Sequence, residues 1–268
     1  MSTSGSFSPY PIYAAPRHLA GGGDPRYVTA PLIALGWTHT AVDGVPELRL
    51  RSPDRRTELA LTPDPDKPWW TIYAPAINPP AGQLAWHATF GGRTPAEALA
   101  GLTDALVAAA PIAAPSPWAP LRVAGWKVSE DRHVTATSPD GTATVQLYRA
   151  GAYQHWRITT EHDVVGNRHE VWSAHLSGST PAHLIAGFTA GLADASPVLR
   201  APDALPVLSS NRVHTKTAET PGLAEARLRD RIATARRTAS RVRIGKGLRP
   251  PGLPPAAPTP GSPGGPRR

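Results

Sequence analysis

The chain reads as short alternating strands closed by an amphipathic helix. Glu47-Leu48-Arg49-Leu50-Arg51 sets an apolar side chain at every second position, the period of a half-buried strand. Ser52-Pro53-Asp54 follows as a turn, because proline fixes φ while Ser and Asp bond their own backbone. Residues 57–61 are the returning strand, and 69–73 and 84–90 are two more. Residues 36–40 are expected as the first strand, turned at Asp43-Gly44. The period then changes to that of a helix. Thr94 is the expected N-cap, Pro95 the first helical residue and Glu97 the capping-box partner. Leu99, Leu102, Leu106 and Ala109 share one face, with Pro111 beyond the stop.

The pattern then comes a second time. Trp70, Trp86 and Thr94-Pro95 recur 86 residues later as Trp156, Trp172 and Thr180-Pro181, and Ser52-Pro53-Asp54 recurs as Ser138-Pro139-Asp140. Gly36-Trp37 matches Gly125-Trp126 with a shift of 89, so the first hairpin is three residues longer in unit one. Strands are expected at 126–129, 133–137, 142–148, 156–160 and 170–176. A helix with Ile185, Phe188 and Leu192 on its buried face ends before Pro197. These elements predict an α+β fold, a duplicated antiparallel-sheet-plus-helix unit (ββββ(β)α twice) paired in pseudo-twofold fashion around a shared core. The units are placed at residues 26–112 and 121–200. Residues 1–25 form a flexible leader, and 113–120 form a linker in which Trp118 can plug the seam.

After residue 200 the character changes. Residues 201–221 read as loop, 222–247 as a basic amphipathic helix and 248–268 as a disordered Pro/Gly-rich tail. Leu228, Ile232, Ala235, Ala239 and Val242 repeat at helical spacing. Arg227, Arg229, Arg231, Arg236, Arg237, Arg241 and Arg243 take the remaining circumference. Of the 28 Lys/Arg and 20 Asp/Glu in the chain, 11 and 2 fall from Pro221 onward, leaving 17 and 18 for the body. The net charge of +8 is therefore a property of the last stretch alone. There is no cysteine, which excludes disulfides, thiolate nucleophiles and cysteine-held metals. Neither a signal-peptide pattern nor an apolar run of membrane-spanning length is visible, so a cytoplasmic protein with no membrane partner is expected.

On the residues Gly36-Trp37, Arg51-Ser52-Pro53-Asp54, Trp69-Trp70, Trp86 with Phe90, and Thr94-Pro95, the chain resembles the actinobacterial DUF317 family, also called SPDY. The second copy carries Gly125-Trp126, Ser138-Pro139-Asp140, Trp156, Trp172 and Thr180-Pro181. The likeness covers roughly residues 25–198. Both copies depart at the tyrosine of the signature, where Arg55 and Gly141 stand. The resemblance implies two tandem copies and carries no established activity.

No catalytic constellation emerges. His155, His162 and His169 read as edge and loop histidines rather than metal ligands, which would have to converge with tight geometry. Ser52 and Ser138 each have an aspartate two positions on, which turn bonding explains. Gly245-Lys246-Gly247 lacks the glycine run and Ser/Thr of a nucleotide loop. We therefore expect no enzyme, no metal and no cofactor. Trp37, Trp70, Trp86, Trp126, Trp156 and Trp172 recur at matched places, as core residues of a duplicated fold do. Trp69 must point opposite to Trp70 in a regular strand and is the candidate exposed aromatic, with Tyr153 or His155 as weaker counterparts.

The functional expectation is a non-catalytic nucleic-acid-binding protein, backbone-directed and weakly sequence-specific, for single- or double-stranded DNA or RNA. Its contacts are expected from Arg227, Arg231, Arg236, Arg237, Arg241, Arg243, Lys246 and Trp69. The alternative is a protein-interaction or adaptor module, including a homodimer, whose apolar stripe binds a partner helix without any nucleic acid.

Overall fold

A computed structural model describes residues 10–40, 47–64, 66–76, 84–151 and 153–245. The chain begins with strand β1 (Ile12–Ala15), a 3₁₀ turn (Arg17–Leu19) and helix α1 (Arg26–Ala34). Next come β2 (Thr38–His39), β3 (Leu48–Arg51), β4 (Glu58–Leu61), β5 (Trp70–Pro75), β6 (Leu84–Phe90) and α2 (Ala96–Val107). They are followed by α3 (Ala119–Val123), β7 (Lys127–Glu130), β8 (Val134–Thr137), β9 (Ala143–Ala150), β10 (Tyr153–Val164), β11 (Asn167–Ser177) and α4 (Ala182–Ala193). The last elements are β12 (Val198–Arg200), a 3₁₀ turn (Val207–Arg212), β13 (His214–Thr217) and α5 (Leu223–Gly245).

Ten strands form one antiparallel sheet in the order β2-β3-β4-β5-β6-β11-β10-β9-β8-β7, with β6 and β11 at its centre. Their pairing aligns Ala88 with Leu176, Thr89 with His175 and Phe90 with Ala174. Strand alternation puts Leu50, Leu59, Ile72, Ala88, Leu176 and Ile158 on one face, every one of them buried. Helices α2 and α4 cover that face: Phe90 and Phe188 stand with ring centroids 5.2 Å apart, and Leu99, Leu102, Ile185 and Leu192 are buried as their spacing predicts. The six matched tryptophans, Trp37, Trp70, Trp86, Trp126, Trp156 and Trp172, are 3–8 % exposed and belong to the core. Trp118 packs on Trp156 at 4.9 Å, at the start of α3.

Several expectations shift. Thr94 does not cap its helix: α2 starts at Ala96, Thr94 is fully buried and its Oγ1 has no partner, while Glu97 is held by Arg200. The stretch expected as a leader contains β1 and a 3₁₀ turn, because Ala14, Leu19 and Ala20 are apolar and fully buried. Within 201–221, expected as loop, β13 pairs with β1, which also pairs with β12, giving a second sheet of order β12-β1-β13. The strands expected after Gly36 and Gly125 are present as β2 and β7, but each is preceded by a helix not expected there, α1 before Gly36 and α3 across the end of the stretch read as linker (113–120). Each helix runs to just before a glycine of positive φ, Gly36 (+94°) and Gly125 (+79°), the conformation that ends a helix without a Cβ penalty. The turn at Asp43-Gly44 lies outside the described residues, as do Lys246 and the 248–268 tail. No helix among the described residues is long and apolar enough to cross a membrane.

Candidate nucleic-acid interface

Helix α5 has a docked side and a charged side. Leu228 and Ala235 are buried, and Ile232 and Ala239 are half-buried, so the stripe read from the sequence lies against the chain's own α1. Arg231 completes the seam. Its Nε donates to the Tyr27 carbonyl at 2.8 Å, its guanidinium bridges Asp104 of α2 at 2.7 and 3.0 Å, and it lies 4.8 Å from the centre of the Tyr27 ring. Arg227 stands over the Tyr13 ring at 5.6 Å, and Glu225 pairs with Arg26 at 3.0 Å. Two of the expected phosphate contacts, Arg227 and Arg231, are thus engaged within the protein.

Arg229, Arg236 and Arg237 are exposed and form no ion pair among the described residues; Arg237 donates to Thr234 Oγ1 on its own helix. Arg229 and Arg236 are seven residues apart, about two helical turns, and so lie on one side of α5. Arg241 and Arg243 belong to the helix backbone, but their side chains, like Lys246, fall outside what is described.

Trp69 is on a different surface. Trp70 beside it is buried under the helices, whereas Trp69 is half-buried on the opposite face. It lies against the Gly92 backbone, where a Cβ would come within 2.4 Å of the indole, and its Nε1 donates to the Asp64 carbonyl at 2.9 Å. A groove beside it is lined by Thr89, Ser173 and His175. Burial, followed by the nearby Arg157 charge, lowers the His175 pKa, which favours the neutral imidazole. The sheet therefore separates Trp69 from the α5 arginines.

The rest of this uncovered face is polar. Thr71, Thr89, His175, Arg157, Gln146 and Thr135 follow one another across six strands in register. In the next row Tyr148 and His155 stack at 4.7 Å and 3°, flanked by His133 and by Tyr153, which is 66 % exposed. Tyr148 and His155 occupy each other's ring faces, so the free faces of the ladder are at its ends. Two cations of the β3–β4 hairpin are neutralised, Arg49 by Glu47 and Arg51 by Glu58. Burial would raise the Glu58 carboxyl, but the Tyr73 hydroxyl and Arg51 together hold it below its ordinary value.

The two Ser-Pro-Asp turns have the same internal bonds. Ser52 Oγ donates to Asp54 at 2.7 Å and accepts from Thr57 N; Ser138 Oγ donates to Asp140 at 2.6 Å and accepts from Ala143 N. Residues Arg55 (φ 60°) and Gly141 (φ 72°), where the signature tyrosine is missing, both take the left-handed conformation. Among the described residues, only the second turn's aspartate has a side-chain partner from outside the turn. His18, buried beside Trp126, places Nε2 3.0 Å from Asp140 Oδ2 and 2.8 Å from Thr142 Oγ1. Burial would raise the Asp140 carboxyl, yet the His18 bond, Ser138 and the Thr142 N–H hold it far below the usual carboxylate range. Ser138 bonds the aspartate rather than the histidine, which is not a nucleophile–base arrangement. Sequence reasoning missed His18 because it lies in a stretch read as leader. Among the described residues no three His, Asp or Glu side chains are grouped to hold a metal ion; His162 is buried and its cross-strand partner His169 exposed.

Residues 51–112 and 137–198 match the SPDY family, a domain of unknown function (DUF317). Both SPDY matches begin at the last residue of the strand before a Ser-Pro-Asp turn and run past the helix that follows, α2 or α4. Neither reaches α5, the 3₁₀ turn bearing His18, or α1. No curated protein and no solved structure matches the chain.

Proposed function

We propose that the protein is a non-catalytic, backbone-directed nucleic-acid binder built on two copies of one unit. The copies are related by a pseudo-twofold axis through the β6–β11 seam. Four offsets of 86 residues support the duplication: the ends of the two SPDY-matched stretches, the Thr89–His175 pair, the facing glycines Gly101 and Gly187, and the two serine–aspartate turns. The observation that carries the functional reading is the orientation of α5. Its apolar stripe is spent on α1, leaving Arg229, Arg236 and Arg237 exposed and unneutralised. Such side chains suit phosphates, which they would hold without regard to base sequence.

The residues differ from those expected from sequence alone. Arg231 becomes an anchor of the helix, and Trp69 belongs to another surface. For the interaction-module alternative, the docking of the stripe on α1 leaves less apolar surface of α5 to a partner helix. Fluorescence anisotropy with labelled 20-nucleotide single and double strands, titrated with the full chain at 50 and 200 mM salt, tests the proposal. Binding that weakens at least tenfold over that range is expected for several phosphate contacts. Absence of binding to every strand at 50 mM salt would overturn it.

A further inference from the structure

We propose that the cavity beside the Ser138-Pro139-Asp140 turn is a binding site for a small amphiphilic anion, an aromatic or branched carboxylic acid. This does not rest on the nucleic-acid reading, since α5 takes no part in it. The cavity measures about 510 Å³ and is formed where the Arg17–Leu19 turn, the end of α4 and the start of β13 meet. That volume is in the range of pockets that enclose small molecules.

The walls define the body of the ligand. Pro16, Trp126, Pro139, Leu192 and Ala195 present apolar surface suited to a planar or branched hydrocarbon. The charged groups of the wall are already paired within the protein, although the buried Arg17 Nε has no partner. Asp140 uses Oδ1 on Ser138 and the Thr142 N–H and Oδ2 on His18. Arg17 uses its guanidinium on Asp194 and on the carbonyls of Gly191 and Ser196.

What remains at the rim is one cation without a carboxylate partner. Arg212 is exposed and forms no ion pair among the described residues, and the exposed His214 is two positions away on the same lining. A carboxylate fits the guanidinium of Arg212, which can hold it through paired N–H donors. A cationic ligand would meet repulsion at the rim and find no free carboxylate inside. At the matched turn, Ser52-Pro53-Asp54, the aspartate is bonded by Ser52 and the Arg56 N–H, and among the described residues no histidine bonds it.

Isothermal titration calorimetry on the full chain, with 2-naphthoate and its neutral amide as probes, decides the matter. The acid is expected to bind and the amide to bind roughly tenfold more weakly, the scale of one charge-assisted hydrogen bond. Arg212→Gln should weaken the acid to the level of the amide and leave the amide unchanged. Ala195→Trp should remove both while the thermal melt stays that of the parent. Equal binding of acid and amide, acid binding that ignores both substitutions, or no heat with millimolar acid would each overturn the site.

Discussion

Gly101 on α2 and Gly187 on α4 meet backbone to backbone. A Cβ on Gly101 would lie 2.3 Å from the Gly187 carbonyl oxygen, and one on Gly187 would lie 2.5 Å from the Gly101 carbonyl oxygen. Two helices can approach this closely only where both lack side chains. The close approach holds α2 and α4 together over the central strands, where Phe188 reaches Phe90. Gly191 continues the seam, since a Cβ there would stand 2.8 Å from the Glu97 carbonyl oxygen.

Gly187→Ala is expected to destabilise the fold by about 2 kcal/mol, the scale of overpacking a tight interior. Alanine is the better helix former by about 1 kcal/mol, so propensity alone predicts the opposite sign. Urea denaturation of parent and variant separates the two, and a stabilised variant would show that the helices are not in close contact.

Asp140→Asn tests the bond between the first 3₁₀ turn and the second serine–aspartate turn. The Asp140 carboxyl is held below its ordinary value in the fold, so its ionised form stabilises the native state above the unfolded carboxyl's pKa, near 4. That contribution is lost as pH falls below this value toward the depressed folded pKa. The variant should therefore be less stable than the parent at pH 7, with the gap narrowing as urea melts are taken from pH 5 to pH 2.5. A gap that stays constant over this range would refute the assignment.

Arg231→Ala distinguishes anchoring from ligand binding. Removing the bonds to Tyr27 and Asp104 should cost about 1 kcal/mol, a modest figure because Asp104 is more than half exposed. Hydrogen exchange in α5 should accelerate, while exchange in the central strands stays as in the parent. Unchanged exchange in α5 would mean that the helix is held by its apolar stripe alone.

The sheet was legible in the sequence because strands declare themselves by period, and Trp70, Trp156 and their neighbours repeat at fixed spacing. Helices α1 and α3 were hidden for a physical reason. Each is short and contains a proline, Pro31 or Pro120, which reads as a break, and Gly36 and Gly125 read equally well as strand openings. A signal was nevertheless present: Ala30-Pro31-Leu32 and Ala119-Pro120-Leu121 precede the two glycines by the same interval. Arg17, His18 and Arg200 could not be found this way, since their partners Asp194, Asp140 and Glu97 are more than a hundred residues distant. The charge bias of α5 was visible in composition. Which arginines are free was not, because Asp104 and Tyr27 meet Arg231 only once α1, α2 and α5 are assembled.

The most direct measurement is the salt dependence of nucleic-acid binding in a triple variant, Arg229→Gln, Arg236→Gln and Arg237→Gln, against the parent. These side chains make no ion pair among the described residues, so urea melts should coincide. The slope of log K against log salt should fall by about three for duplex DNA, near 0.9 for each phosphate that is no longer neutralised. An unchanged slope with undiminished affinity would contradict the account, because the phosphates would then be held elsewhere on the chain.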